Sequence, residues 1–439
     1  MSAPHRIAVV GSGPAGFYAA EALLRSGVPV AVDLFERLPA PFGLVRFGVA
    51  PDHPKLKQVT AVFDRIAGLP GFRFVGGVEV GVDVSVAELG ACYHAVILAN
   101  GASLDRRMNI PGEDLAGSHQ AGAFIGWYNG HPDAARLAFD LSTERAVVIG
   151  HGNVALDVAR ILLKTPDELR HTDIAAHALD ALAESRIREV QIVGRGGVER
   201  ARFSPKELAE FGDLAACSTG LDPDDLPGGV AKPPAEAGVE ARANAEILRA
   251  FAEASRDTGQ PRRCLIRFGL EPRQLAGDGH VERLHLCRPA SDETIALKCG
   301  LVISSIGRRT ASMPGVPYDA EVGVHANLGG RIHADRVTMP GLYACGWSKR
   351  GPHGTIGTNR ACGVETAAAV LDDLAALPAP IGNADALVAN LANRSGCTID
   401  YAAWRRIEAA ELARGQAAGK PREKFVTRAE MLAIAGEAA

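Results

Sequence analysis

Two glycine-rich turns, at Gly11 and Gly150, constrain what this 439-residue chain can become. The first follows the apolar run Ile7 to Val10 and reads Gly11, Ser12, Gly13, Pro14, Ala15, Gly16. The second follows Ala146 to Ile149 and reads Gly150, His151, Gly152, Asn153, Val154, Ala155, a GxGxxA variant. Each opens an apolar helix. In such a turn the first glycine permits the tight bend, the second lets backbone N–H groups reach a pyrophosphate, and the third position keeps helix close to strand. A single nucleotide needs one such cradle, so the pair predicts two dinucleotides. The natural couple is a flavin and a nicotinamide, between which a hydride can pass. The fold class expected is α/β, with two Rossmann-like dinucleotide-binding domains.

Length agrees with that division, since a chain this long exceeds one ordinary core and two domains of roughly 100 to 250 residues are the norm. Lys plus Arg number 47 against 51 Asp plus Glu. That near balance gives no general attraction to nucleic acid or to an anionic membrane. Only Met1 to Arg6 precede the first strand, without a charged leader and apolar h-region, and no run of about 18 apolar residues points to a membrane span. A cytoplasmic protein is expected. The eight cysteines are scattered with no CxxC or zinc-type cluster. That spacing excludes a local redox dithiol and an obvious iron–sulfur cradle, and no metal site is expected. Cys345 reads as a small packing residue.

The helix Pro14 to Ser26 leads to a strand near Val28 to Phe35 that ends in Glu36, 25 residues after Gly11. An acidic side chain at about that offset accepts hydrogen bonds from a ribose. The second unit starts at Arg145, with a helix from Asn153 to about Lys164, an extra helix over Thr172 to Ser185, and the next strand over Glu189 to Val193. That strand ends in Gly194 and Arg195, where the first unit has Phe35 and Glu36. A carboxylate there favours a free ribose 2′-hydroxyl; a guanidinium favours a 2′-phosphate, which it grips with two parallel hydrogen bonds. The loop Leu38 to His53 carries Phe42, Leu44, Val45 and Phe47, apolar residues that need something large to pack on, such as an isoalloxazine ring. Leu221 to Gly238, rich in Pro, Asp and Gly, reads as an exposed excursion. Leu301 to Ile306 is a strand whose end, Gly307 and Arg308, matches Ala95 to Gly101, and both mark returns between domains. The strand Gly341 to Ala344 leads into Gly346, Trp347 and the loop His353 to Gly357, followed by a helix from about Asn359 to Leu374.

Four segments together, Gly11 to Glu36, PFGLVRFGVAPDHP from Pro41, GHGNVALDVARILL from Gly150 and GWSKRGPHGTIGTN from Gly346, resemble one family. It is the adrenodoxin reductase type of ferredoxin–NADP reductase, a branch of the glutathione-reductase-like flavoproteins. The resemblance runs over nearly the whole chain, to the tail REKFVTRAEML from Arg422. It implies an NADP domain inserted into an FAD domain, with FAD-domain residues roughly 1–104 and 320–439 and NADP-domain residues roughly 105–319. The activity implied takes hydride from NADPH, NADP(H) and FAD being the cofactors, and passes single electrons to a small acidic ferredoxin that in turn feeds an acceptor such as a cytochrome P450. Carried over by position, Ala15, Glu36, Leu44 and Val80 touch FAD beside the Gly11, Gly13, Pro14, Gly16 turn. Trp347 and Gly354, Thr355, Ile356 close over the flavin end, and the helix after Thr355 aims its positive end at the flavin pyrimidine ring. His151, Gly152, Asn153, Val154, Arg195, Glu207 and Gly354 touch NADP. His53 and Asp157 match positions near the flavin that relay protons.

In one respect the chain departs from the family pattern. The family shows two consecutive arginines where this chain has Arg195 followed by Gly196, and Arg200 or Arg202 is a candidate substitute. Arg202, Lys206, Arg262, Arg263 and Arg267 are candidates for a basic patch that meets an acidic ferredoxin. Two other readings keep part of this picture: an NADPH-oxidising flavoprotein subunit like the small subunit of glutamate synthase, and a dinucleotide-binding sensor without turnover. The glutamate synthase-like subunits carry an N-terminal cysteine-rich region for which this chain has no counterpart before Ile7.

Overall fold

A computed structural model describes residues 3–226, 228–231, 233, 238–253, 259–289 and 291–436. The chain forms two compact units, one of residues 1–49, 53–104 and 307–439, the other of residues 50–52 and 105–306. It therefore leaves the first unit after Leu104 and re-enters it at Gly307.

The first unit is built on a seven-stranded sheet. His5–Val10 lies in its middle, parallel to Val30–Glu36 on one side and to Ala95–Leu98 on the other. Ile7, Ala8 and Val9 are fully buried because both faces of a central parallel strand are covered. Phe72–Gly76 extends one edge in parallel; Val337–Ala344 pairs with Ala95–Leu98, then turns back antiparallel through Arg331–Ala334 and Asn327–Leu328. Strand order reverses at His5–Val10, the topological switch point at which open α/β sheets bind ligands.

Aromatic packing on one face corrects an expectation for the loop Leu38 to His53. Phe42, Val45 and Phe47 are buried in the unit's own core, so these three side chains pack on the protein itself. Phe42 packs on Phe17 at 5.6 Å and stands edge-on to Trp404 at 5.7 Å, and Phe17 stacks on Phe63 at 4.9 Å. Leu44, in the short helix Leu44–Phe47, is the member of the group left exposed. Arg46 in the same helix forms a buried ion pair with Glu411 at 2.5 Å. Glu411, on the helix Tyr401–Ala417, also receives Arg422 at 2.9 Å and the Phe425 N–H at 3.0 Å, which ties the tail down. Burial raises the Glu411 pKa, but the two guanidiniums outweigh it and keep the group below the usual carboxylate range.

The second unit carries an all-parallel six-stranded sheet ordered Ser118–Gln120, Leu301–Ser304, Arg145–Ile149, Glu189–Val193, Arg262–Arg267, Cys217–Leu221. Here the order reverses at Arg145–Ile149, the second switch point. The helix Asn153–Leu163 buries Leu156, Ile161 and Leu162 against one face. An antiparallel meander of Glu271–Ala276, Arg283–Arg288 and Glu293–Lys298 covers the other, setting Leu275, Leu284 and Leu286 on Val147, Ile149 and Val193. The expected exposed excursion at Leu221 to Gly238 is anchored at its start, where the Asp225 side chain is buried and accepts both Arg267 and Arg288; residues 227, 232 and 234–237 of it lie outside the described residues. Among the described residues, no helix is long and apolar enough to cross a membrane.

A buried histidine in the first unit sets an acid limit on stability. His325 is fully buried, its Nε2 lies 3.3 Å from Asn100 Oδ1, and burial pushes its pKa down to about 4. The unfolded chain then takes up the proton first, near pH 6.5, so stability present above that pH is lost as pH falls toward 4. The share due to this residue at pH 5 is on the order of 2 kcal/mol. Urea unfolding at pH 7 and pH 5 is expected to show a smaller acid loss for His325→Gln than for wild type. Equal losses would show that His325 is not a source of acid sensitivity.

Candidate functional sites: two cradles and a buried ion cluster

Both glycine turns leave the carboxyl end of their strand at a switch point. Gly11 has φ +107°, and a Cβ there would lie 2.4 Å from the Ala99 carbonyl oxygen; Gly150 has φ +137°, and a Cβ there would lie 2.2 Å from the Ser305 oxygen. Neither position accepts a side chain. The second glycine of each turn, Gly13 and Gly152, instead faces open space. That is the opening a pyrophosphate needs to reach the backbone.

Around the first turn, Pro14 starts the helix Pro14–Leu24 and Ala15 is buried beneath it. Glu36, last in its strand, is braced at the turn: its carboxylate accepts the Ser12 hydroxyl at 2.6 Å, the Ser12 N–H at 3.3 Å and the Leu38 N–H at 3.1 Å. Val80 is half-buried and forms an isolated bridge with Val84. Trp347 donates its indole N–H to the His353 carbonyl at 3.2 Å, and Arg350 donates to the same carbonyl and to Asn359 Oδ1 at 2.9 Å. Gly354 and Thr355 are exposed, and Ile356 opens the helix Ile356–Asp373, three residues earlier than the sequence places it. Thr355 makes no capping side-chain bond, so this helix presents its first-turn amides as a site of positive potential. Cys345 is buried and its thiol reaches the Ala15 carbonyl at 3.7 Å, in keeping with a packing role.

Around the second turn, the segment that follows Arg195 folds back on the glycines. The Arg202 N–H donates to the His151 carbonyl at 2.8 Å, Arg202 bridges Gly152, and Asn153 Oδ1 accepts the Ser204 N–H at 2.7 Å. Ser204 caps the helix Pro205–Ala209, whose first turn carries the half-buried Glu207. The His151 ring packs at 4.6 Å from Phe268 and 5.4 Å from Phe203; burial pushes its pKa down to about 4, so it is neutral at physiological pH. Val154 is exposed beside the turn, as Leu44 is in the first unit. Arg195 is exposed and makes no ion pair among the described residues, which leaves its guanidinium available to an anion.

Asp157 stands on the helix Asn153–Leu163 and accepts Arg160 Nη2 at 2.7 Å. Arg160 has no solvent exposure and also donates to Asp52 through Nε at 2.7 Å and Nη2 at 3.0 Å; Lys164 reaches Asp52 at 2.9 Å. Burial raises the Asp52 pKa, yet the hydrogen bonds and charge of Arg160, then Lys164, hold it well below the usual carboxylate range. One buried guanidinium thus serves both Asp157 and Asp52, the residue immediately before His53. His53 makes no side-chain capping bond to the helix Pro54–Lys57. Sequence reasoning passed over Arg160 and Asp52, although an arginine at i+3 from an aspartate inside the apolar run VALDVARILL was the available signal.

The proposed basic patch needs correction. Arg202 and Lys206 are exposed, but Arg267 is buried and pairs with Asp225 at 2.8 Å, and Arg262 donates to the Leu163 and Lys164 carbonyls at 2.7 Å each. Both lie on the strand Arg262–Arg267, so their side chains serve the sheet and the helix end beside it.

Comparison with known proteins agrees with this geometry. The family model for pyridine nucleotide-disulphide oxidoreductases matches residues 5–197. Among relatives, the NADPH-ferredoxin reductase FprA of Mycobacterium tuberculosis is 43% identical over 456 residues, covering 98% of this chain and 99% of that protein. The mitochondrial NADPH:adrenodoxin oxidoreductase of Bos taurus is 42% identical, covering 98% of this chain and 92% of that one. The solved structure of Mycobacterium tuberculosis FprA in complex with NADPH superposes with a TM-score of 0.93 at 42% identity, covering 98% and 99% of the two chains. The chain belongs to the family of NADPH–ferredoxin and adrenodoxin reductases.

Proposed function

We propose that this protein is a ferredoxin–NADP reductase that oxidises NADPH and delivers single electrons to a small acidic iron–sulfur ferredoxin. The first compact unit is the FAD-binding domain and the second the NADP-binding domain, and the protein works in the cytoplasm. The observation that carries this reading is the contrast between two otherwise similar cradles. The strand after the first turn ends in a braced carboxylate, Glu36, suited to a ribose hydroxyl; the strand after the second is followed two residues on by an exposed guanidinium, Arg195, with no ion pair among the described residues and suited to a 2′-phosphate.

FAD, when bound, accepts a hydride and gives up the electrons one at a time, which a nicotinamide does not do efficiently. The chain's own contribution is position and charge. Gly11, Gly13, Pro14, Ala15 and Gly16 hold the pyrophosphate of FAD, Glu36 its ribose, and Leu44, Val80 and Trp347 its apolar surface. Gly354, Thr355 and Ile356 present the open helix end where negative charge collects on reduction. His151, Gly152, Asn153 and Val154 cradle the pyrophosphate of NADPH, with Arg195 and Glu207 at its adenosine end. His53 and Asp157 handle protons, and Arg160 is a positioning residue that fixes the Asp157 carboxylate.

The test is ferredoxin-dependent reduction of cytochrome c by the purified FAD-loaded protein. Turnover with NADPH that requires a reductively competent ferredoxin is expected. A protein that binds FAD yet is inert to NADPH and NADH, with or without ferredoxin, would contradict the reading.

A further inference from the structure

A phosphate ester carries about 1.5 to 2 negative charges at neutral pH, more than one guanidinium neutralises. At the end of Glu189–Val193, Arg195 supplies one positive charge and the next residue, Gly196, supplies none. The space above Gly196 is nonetheless filled. A Cβ built there would lie 2.8 Å from Arg200 Cβ, 3.2 Å from its Cδ and 3.5 Å from its Cγ, so the aliphatic stem of Arg200 occupies the place of a side chain at 196.

Two local features hold that arrangement. The backbone of Gly194 and Gly196 is fixed by hydrogen bonds from the Leu270 and Gly269 N–H groups, each at 3.1 Å. The single 3-10 turn Val198–Arg200, closed by the Arg200 N–H on the Gly197 carbonyl at 3.0 Å, then carries the stem back over Gly196. The Arg200 side chain as a whole remains 80% exposed, and among the described residues its one ion-pair partner is Glu199, at 3.7 Å. The backbone of Arg202 is bridged instead to Gly152, at the glycine turn.

We infer that Arg200 is the second 2′-phosphate ligand, a specificity-determining residue that places its guanidinium beside that of Arg195 by crossing the bare face of Gly196. This rests on the reading of the second unit as an NADPH site. It also means that an arginine at 196 has no room while Arg200 is in place, so the two positions exchange one role.

The test is equilibrium binding of NADP+ and NAD+ to the FAD-loaded full chain, by calorimetry, for wild type, Arg200→Ala and the double variant Gly196→Arg with Arg200→Ala. Loss of one charge-assisted phosphate contact is expected to weaken NADP+ about tenfold or more in Arg200→Ala. NAD+, which lacks the phosphate, should change less than about twofold, and the double variant should recover NADP+ affinity because it moves the guanidinium to the other side of the same space. An unchanged ratio of the two affinities in Arg200→Ala would overturn the assignment. So would equal weakening of both coenzymes, or failure of the relocated arginine to recover binding. A wild-type protein that binds NADP+ no more tightly than NAD+ would instead remove the NADPH reading itself, and this inference with it.

Discussion

Arg160→Ala is expected to destabilise the protein by about 3–5 kcal/mol, the usual consequence of removing one partner from a buried ion pair. Arg160 is fully buried and makes three short contacts to two carboxylates, Asp52 and Asp157. Its removal leaves Asp157 without this partner and Asp52 facing Lys164 at 2.9 Å. Urea unfolding at pH 7 measures the loss. A double variant, Arg160→Met with Asp52→Leu, is expected to lose less than the single one, because it buries no unmatched charge in that pair. A loss below about 1 kcal/mol for Arg160→Ala would place the pair among ordinary solvated surface bridges and contradict the burial argument.

Arg195→Ala is expected to raise KM for NADPH roughly 10- to 150-fold, the equivalent of one charge-assisted phosphate contact of about 1.5–3 kcal/mol. KM for NADH should change little, since its ribose has no phosphate for the guanidinium to hold. The selectivity is the informative quantity, because a residue that merely supported the fold would affect both coenzymes. Steady-state kinetics with NADPH and NADH in parallel measure it. Equal effects would take Arg195 out of the 2′-phosphate role.

Much of the architecture was legible because its signals are local. A glycine turn after an apolar run declares a strand, a bend and a helix within about 20 residues, and Glu189 to Val193 fell where its apolar run predicts. Other features depend on contacts between residues distant in sequence. Phe42 looked like a ligand-facing residue because its immediate neighbours in the chain do not cover it; Phe17, Phe63 and, more than 300 positions away, Trp404 do. Arg262 and Arg267 read as surface charge until Asp225 and the end of the helix Asn153–Leu163 came to meet them. The meander over Glu271–Lys298 was missed although Leu284 and Leu286 alternate with polar residues, the period of a half-buried strand. Arg200 was one of two candidates in the sequence, and the fold of the turn Val198–Arg200 over Gly196 is what separates it from Arg202.

In the proposed function, one chain offers a flavin and NADPH a backbone cradle each and lets a hydride pass directly from one to the other. Anaerobic rapid mixing of the FAD-loaded protein with one equivalent of NADPH, followed at the flavin absorbance band, tests it most directly. Bleaching within the turnover time is expected, slowed when the transferred hydrogen of NADPH is replaced by deuterium. A flavin band that stays unchanged after NADPH has bound would contradict it.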